Sequence, residues 1–189
     1  MKKLLLIICT ITLFLGCDNI MNTPIKKVER FLEKYQKLDD NLLNELSYKT
    51  ESQELTQNQK NTYRNLMKRQ YSDLVYEIKD DEIDGNIAVV KVEIEVYDYS
   101  IAITKTDKYV NTHQEEFLKD NVIDQEKYID YKLNQMKDID DRIKYTLELT
   151  LTKKNKNWII DELSEENLQK IHGLYGNQVI TEEENSSVF

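Results

Sequence analysis

The sequence has little of what most catalytic or metal sites need: two cysteines, two histidines, four glycines and one proline in 189 residues. No cysteine follows Cys17, and neither His113 nor His172 has a partner at the ligand spacing of a zinc site. The few glycines form no phosphate-binding loop, dinucleotide fingerprint or nucleophile elbow. The sequence therefore predicts no metal and no cofactor.

What is present is a short apolar segment at the N-terminus. Residues 4–15 are apolar except for two threonines, and they follow two lysines. A basic start, a short apolar run and a small residue at its end are typical of a secretory signal peptide. The run is shorter than the ~20 apolar residues that a membrane-spanning helix needs. We therefore expect residues 1–16 to be a cleaved leader.

Gly16 and Cys17 refine this prediction. Residues 13–17 read Leu-Phe-Leu-Gly-Cys and resemble the lipobox of bacterial lipoproteins, with Phe14 where leucine is usual. The resemblance implies cleavage between Gly16 and Cys17, and a diacylglyceryl group on the Cys17 thiol. Two acyl chains, at ~0.8 kcal/mol per buried methylene, hold a protein firmly on a membrane. The competing interpretation, a Cys9–Cys17 disulfide, fails once Cys9 leaves with the leader. We expect the protein on the outer face of the bacterial cytoplasmic membrane, tethered through Cys17.

The charge is strongly acidic. The formal net charge is −9, from 26 basic and 35 acidic residues. Loss of Lys2 and Lys3 with the leader removes no acid and changes the charge to −11. Such a chain repels phosphate backbones and anionic lipid headgroups, so no nucleic acid partner is expected.

The chain divides into four parts, of which the leader is the first. We expect residues 17–23 to form a lipidated cysteine with a short linker, residues 24–176 a single domain, and residues 177–189 a disordered polar tail.

Helix signals are well defined. Thr23-Pro24 reads as an N-cap followed by proline at the first helical position. Thr56 and Gln59 have the spacing of a capping box, and apolar residues recur after them at helical intervals. Residues 100–138 read as mostly helical, with Asp124 as a cap, and Ser164 caps a short last helix that Gly173 ends. A second short helix follows Asp39 or Asp40, and the polar residues 47–56 read as a loop.

Two segments alternate with the period of a strand. Val90 to Val96 alternate apolar with charged residues. Upstream, Leu74, Tyr76 and Ile78 alternate with Val75, Glu77 and Lys79. Burial selects the register that pairs Ile78 with Val92 and Tyr76 with Ile94. This predicts a three-residue loop, residues 84–86, with Asn86 in the left-handed conformation. Residues 143–151 form another strand, which returns through a turn at residues 155–156 to place Trp158 and Ile160 on the same face.

Three side chains are candidates for chemistry: Asp80, His113 and Tyr63. In this register Asp80 faces the same way as Tyr76 and Ile78, although it lies near the turn. His113 falls near Tyr109 and Phe117 on what reads as an inner helical face, where a structural role is the simpler interpretation. The acidic stretch 80–86 lacks the alternating oxygen ligands and distal glutamate of an EF-hand loop. The sequence alone therefore assigns none of the three a catalytic role.

Helices followed by a twisted antiparallel sheet indicate an α+β fold. The Thr23-Pro24 start, the helix through Phe31-Leu32, the hairpin around residues 83–86 and the closing segment 151–168 resemble small bacterial lipoproteins with a nuclear-transport-factor-two-like domain. This resemblance implies N-terminal helices packed on a curved antiparallel sheet. Residues 100–138 depart from the simple fold, because this helical stretch between strands is longer than the fold needs, and we expect them to form a helical insertion. It also implies a hollow between the first helices and the sheet.

The fold hosts isomerases, dehydratases, binding modules and assembly domains, so it does not imply one function. The leading expectation is a non-catalytic domain that binds a small apolar ligand or another envelope protein. The alternative is an isomerase or dehydratase with Asp80 or His113 as base and a tyrosine such as Tyr63 as donor. A third is a self-associating envelope component. The lining of the hollow discriminates among these.

Overall fold

The computed structural model describes residues 22–51 and 55–176. Six α-helices and six strands lie in this part of the chain. The helices are α1 (Pro24–Gln36), α2 (Asp40–Glu51), α3 (Gln57–Ser72), α4 (Ser100–Thr112), α5 (Gln125–Lys137) and α6 (Glu165–Ile171). The strands are β1 (Val75–Asp84), β2 (Ile87–Tyr97), β3 (Leu118–Lys119), β4 (Val122–Ile123), β5 (Arg142–Lys154) and β6 (Asn157–Ile160).

The main sheet is antiparallel and curved, with strand order β1-β2-β5-β6, and β3 pairs with β4 in a separate two-stranded sheet. Helices α1 and α3 pack on one face of the main sheet, and the strand residues of that face are buried. The predicted α+β architecture is confirmed, with α4 and α5 forming the helical insertion between β2 and β5. This architecture fits a nuclear-transport-factor-two-like fold, while membership of that family stays a prediction.

The predicted helix starts are confirmed because each depends on a local hydrogen bond. Thr23 Oγ1 accepts the Lys26 amide at 3.2 Å, and Ser164 Oγ accepts the Asn167 amide at 3.1 Å. The capping box at Thr56 is complete in both directions. One boundary was wrong: α2 continues to Glu51, beyond the point where residues 47–56 read as a loop.

The β1–β2 hairpin corrects the predicted turn. Tyr76 pairs with Ile94 and Ile78 with Val92, as expected, but Asp84 pairs with Ile87, so the loop has two residues rather than three. Gly85, with φ +57°, takes the left-handed conformation that had been assigned to Asn86. A β-bulge between Ile78 and Asp80 absorbs the difference in register. The opposite turn, at Asn155 and Lys156, is confirmed, and both residues have positive φ.

β6 pairs with only the C-terminal end of β5, so the rest of that edge of β5 has no strand partner. The C-terminal segment covers this part of the edge. Asn167 Nδ2 donates to the Glu148 carbonyl at 3.0 Å, and Lys170 Nζ donates to the Thr146 carbonyl at 3.1 Å. Helix α6 ends in a Schellman motif, in which the Gly173 amide donates to Lys170 and the Leu174 amide to Gln169. Side chains of α6 thus satisfy strand carbonyls that would otherwise present an open edge.

Candidate functional site

The space between the helices and the sheet is filled by side chains. Val92 and Ile94 of β2, Leu147 of β5, Leu32 of α1 and Met67 of α3 have no accessible surface. An internal cavity wide enough for water would leave accessible surface on the side chains that line it, so these residues line no such cavity. At these positions the core is packed at the usual density of a protein interior, and the expected hollow is not present.

Asp80 lies on the opposite face from the one predicted. The bulge shifts its pairing to Lys91, whose neighbours Val90 and Val92 face the core, so Asp80 points away from the core and is exposed. Its carboxylate accepts the amide of Asp81 at 2.9 Å. One extra residue in a strand inverts the face of every residue beyond it, which is why the pattern of alternation misplaced this carboxylate.

Tyr63 lies on the other side of the sheet, on α3, where it is half-buried and packs against the core. Burial raises the pKa of its phenol, and burial likewise raises the pKa of the Tyr35 and Tyr71 phenols. The rings of Tyr35 and Tyr71 meet edge to face within the core, with 4.9 Å between their centroids. The fold therefore separates the candidate donor Tyr63 from the candidate base Asp80.

His113 is exposed, which corrects its predicted place on an inner helical face. It ends α4, and its ring stacks on Tyr109 at 4.1 Å. Tyr131 of α5 also stacks on Tyr109, at 4.8 Å, and Phe117 meets both tyrosines edge-on. The apolar residues spaced around His113 do form a packed helical face. That face packs on α5, the second helix of the insertion, and not on the sheet.

We call the end of the helical insertion beyond this aromatic cluster the insertion tip. It comprises β3, β4 and the turn at Asp120 and Asn121, both with positive φ. Leu118 is 38% exposed and Val122 is 65% exposed. Phe117, directly before β3, is buried and contacts the rings of Tyr109 and Tyr131. The tip thus presents apolar side chains on a support of packed aromatic rings.

A second surface combines apolar and cationic side chains. Between α1 and β6 a groove of about 330 Å³ is lined by Phe31, Trp158, Ile159 and Ile160 together with Lys27, Arg30 and Lys34. Ile159 is 47% exposed, and Lys153 Nζ lies 5.2 Å from the centre of the Trp158 ring. We call this surface, together with the neighbouring β5–β6 turn, the basic groove.

Asn22 fixes where the chain enters the domain. Its Nδ2 donates to the Lys156 carbonyl at 2.7 Å, and its Oδ1 accepts the Trp158 amide at 3.3 Å. These two bonds hold the residue just before α1 against the β5–β6 turn, although the two segments are more than 130 positions apart in the sequence. Sequence reasoning missed this surface because nothing local connects Asn22 with Trp158.

The remaining sequence expectations fall outside these surfaces. Gly16, Cys17 and the tail 177–189 lie outside the described residues. Within the described residues, no group of histidine, cysteine and carboxylate side chains could hold a metal ion. None of the helices described is both long and apolar enough to cross a bilayer.

Comparison with known proteins gives no relative. No family model matches the chain, and neither the curated proteins nor the solved structures include a significant match. The assignment of function therefore depends on the chain's own surfaces.

Proposed function

We propose that this chain is an exported, lipid-anchored protein of the bacterial cell envelope whose domain binds another envelope protein without catalysing a reaction. The lipid anchor on Cys17 is the part of the proposal that the sequence supports. The choice of a protein partner over a small ligand is the part that the packing supports.

The observation that carries the choice of partner is the filled interior. A small apolar ligand bound between helices and sheet would have to displace side chains such as Leu32 and Ile94, which have no accessible surface. Displacing well-packed core side chains costs several kcal/mol, about 2–5 kcal/mol for each large aliphatic group removed from its site. Exposed apolar groups instead occur at the insertion tip, where rigid aromatic support favours docking of a partner.

The anchor is tested on protein purified from the native membrane. We expect the intact mass to correspond to a chain that begins at Cys17 and carries a diacylglyceryl modification, and we expect Cys17→Ala to remain unprocessed and unlipidated. An intact leader, or an unmodified Cys17, would remove the tethered localisation from the proposal.

The partner is tested by photo-crosslinking in cells. A crosslinking residue at Val122 should give a discrete product with a second envelope protein, and the product should disappear when Leu118→Asp is added. Glu82, exposed in the β1–β2 hairpin, is the matched control and should give none. Products equal at both positions, or only products of two copies of this chain, would refute a specific protein partner at the tip.

A further inference from the structure

We infer that the basic groove is a membrane-docking surface, which lays the domain against the anionic phospholipid headgroups of the bilayer. This rests on the proposed lipid-anchored function, because the tether brings the groove to the membrane. It reverses the expectation from net charge, since the charge is not evenly distributed.

The point of chain entry orients the domain. Asn22 is held at the β5–β6 turn by its bonds to Lys156 and Trp158, and only four residues separate it from Cys17. The five Cα–Cα steps from Cys17 to Asn22 span at most about 18 Å even when fully extended. A lipid on Cys17 would therefore keep the β5–β6 turn and the start of α1 within about 20 Å of the bilayer surface.

The charge of this surface complements an anionic membrane. Residues 22–34 and 153–158 contain seven basic side chains and two acidic ones, a local balance of +5 in a chain of net charge −9. Both acids are paired with lysines, Glu29 with Lys26 in α1 at 2.5 Å and Glu33 with Lys37, the residue after α1, at 2.6 Å. The rest of the chain therefore carries a net charge of −14, so the excess of basic side chains is confined to these two segments.

The apolar floor of the groove suits an interfacial position. Phe31, Ile160 and Trp158, the last only 5% exposed, line the groove beside the cations of α1, and Lys153 of β5 lies over the Trp158 ring. The exposed Ile159 alternates with Trp158 along β6 and faces the other side of the strand. Tryptophan and aliphatic side chains flanked by lysines are the combination that settles at the boundary of headgroups and acyl chains. Each Lys or Arg near an anionic surface adds about 1 kcal/mol of attraction, so the groove adds to the hold of the two acyl chains and fixes which side of the domain meets the bilayer.

The test uses the processed chain without its lipid, residues 17–189 with Cys17→Ser, so that binding reports the groove and not the acyl chains. The main core cluster lies between Val28 and Ile171, so this form retains the packed core. We expect it to bind vesicles of equal parts phosphatidylglycerol and phosphatidylcholine, and not vesicles of phosphatidylcholine alone. Binding should be lost in roughly 1 M salt, where the Debye length falls to about 3 Å.

Paired charge reversals locate the surface. Lys27→Glu with Lys34→Glu should weaken binding by about thirtyfold or more, because each cation contributes about 1 kcal/mol. Lys105→Glu with Lys108→Glu, on exposed positions of α4, makes the same change in net charge and should weaken it far less. Circular dichroism and the Tm of both variants establish that each is folded.

Fluorescence gives an independent readout, because Trp158 is the one tryptophan of the chain. Brominated phosphatidylglycerol should quench its emission on binding. Equal binding to both vesicle types, equal loss in the two double variants, or no quenching on binding would each overturn the inference. None of these results would bear on lipidation of Cys17 or on a partner at the insertion tip, which the mass and crosslinking experiments address.

Discussion

Replacing Gly173 by alanine should be among the most destabilising single changes in the domain. A Cβ at this position would lie 2.0 Å from the Tyr97 carbonyl oxygen and 2.3 Å from Gln70 Nε2, whereas real Cβ atoms essentially never come within 3.0 Å of another atom. The same Gln70 amide, fully buried, donates to the Tyr97 carbonyl at 3.1 Å and accepts its amide at 2.9 Å. An added methyl group therefore collides with a buried hydrogen-bonded pair.

Three contributions set the magnitude. A positive φ of +68° costs a non-glycine residue about 1 kcal/mol, and overpacking costs about 1–3 kcal/mol. Loosening the buried Gln70 pair adds about 1–3 kcal/mol. We expect Gly173→Ala to lower the free energy of unfolding by about 5 kcal/mol, measured by urea denaturation followed through the fluorescence of Trp158. A typical domain has only about 5–15 kcal/mol to lose.

Gly85 is the matched control, since its φ is also positive, at +57°, but a Cβ there would meet nothing within 4 Å. Gly85→Ala should therefore cost only the conformational part, about 1 kcal/mol. If the two variants lose equal stability, the close approach of α6 to the end of β2 is not what holds the C-terminal segment in place.

The other predictions concern buried polar groups and the chain entry. Gln59, 1% exposed, accepts the Thr56 amide and donates to the Glu126 carbonyl and to Asp130, so Gln59→Ala should cost about 2–3 kcal/mol in urea denaturation; the exposed Gln57→Ala should be neutral. Burial raises the pKa of Tyr99 to about 12, above its usual 10, so the contribution of its neutral phenol to stability is complete below pH 10 and is lost as the pH rises toward 12. The free energy of unfolding measured against alkaline pH should therefore fall through this window, and should fall less in a Tyr99→Phe variant. Asn22→Ala removes two bonds to the β5–β6 turn and should speed hydrogen exchange of the Trp158 amide with little change in Tm, and unchanged exchange would refute the pinned entry.

The sequence was most informative where structure depends on neighbours along the chain. Thr23, Thr56 and Ser164 each cap a helix through an amide three residues later, so the residue type and its spacing contain the whole interaction. The same holds for the turn at Asn155 and Lys156.

The candidate site was least predictable where two distant segments meet. Asp80 was misplaced because a bulged strand and a longer loop explain the same pairing of Ile78, and the alternation of residues does not distinguish them. His113 was misplaced because its helix packs on Tyr131, which lies in a different helix. The bond from Asn22 to Lys156 likewise has no local signal, so the basic groove emerges only from the folded chain.

The unpaired edge of β1 has a further consequence if the protein is confined to a membrane surface. β1 stands at the end of the main sheet, and after its bulge it carries Asp80, Asp81, Glu82 and Asp84. Tethering raises the effective concentration of neighbouring copies. A high concentration favours edge-to-edge pairing of exposed strands into polymers. Two such strands brought side by side would crowd four carboxylates from each copy into one seam, so mutual repulsion keeps densely packed neighbours apart.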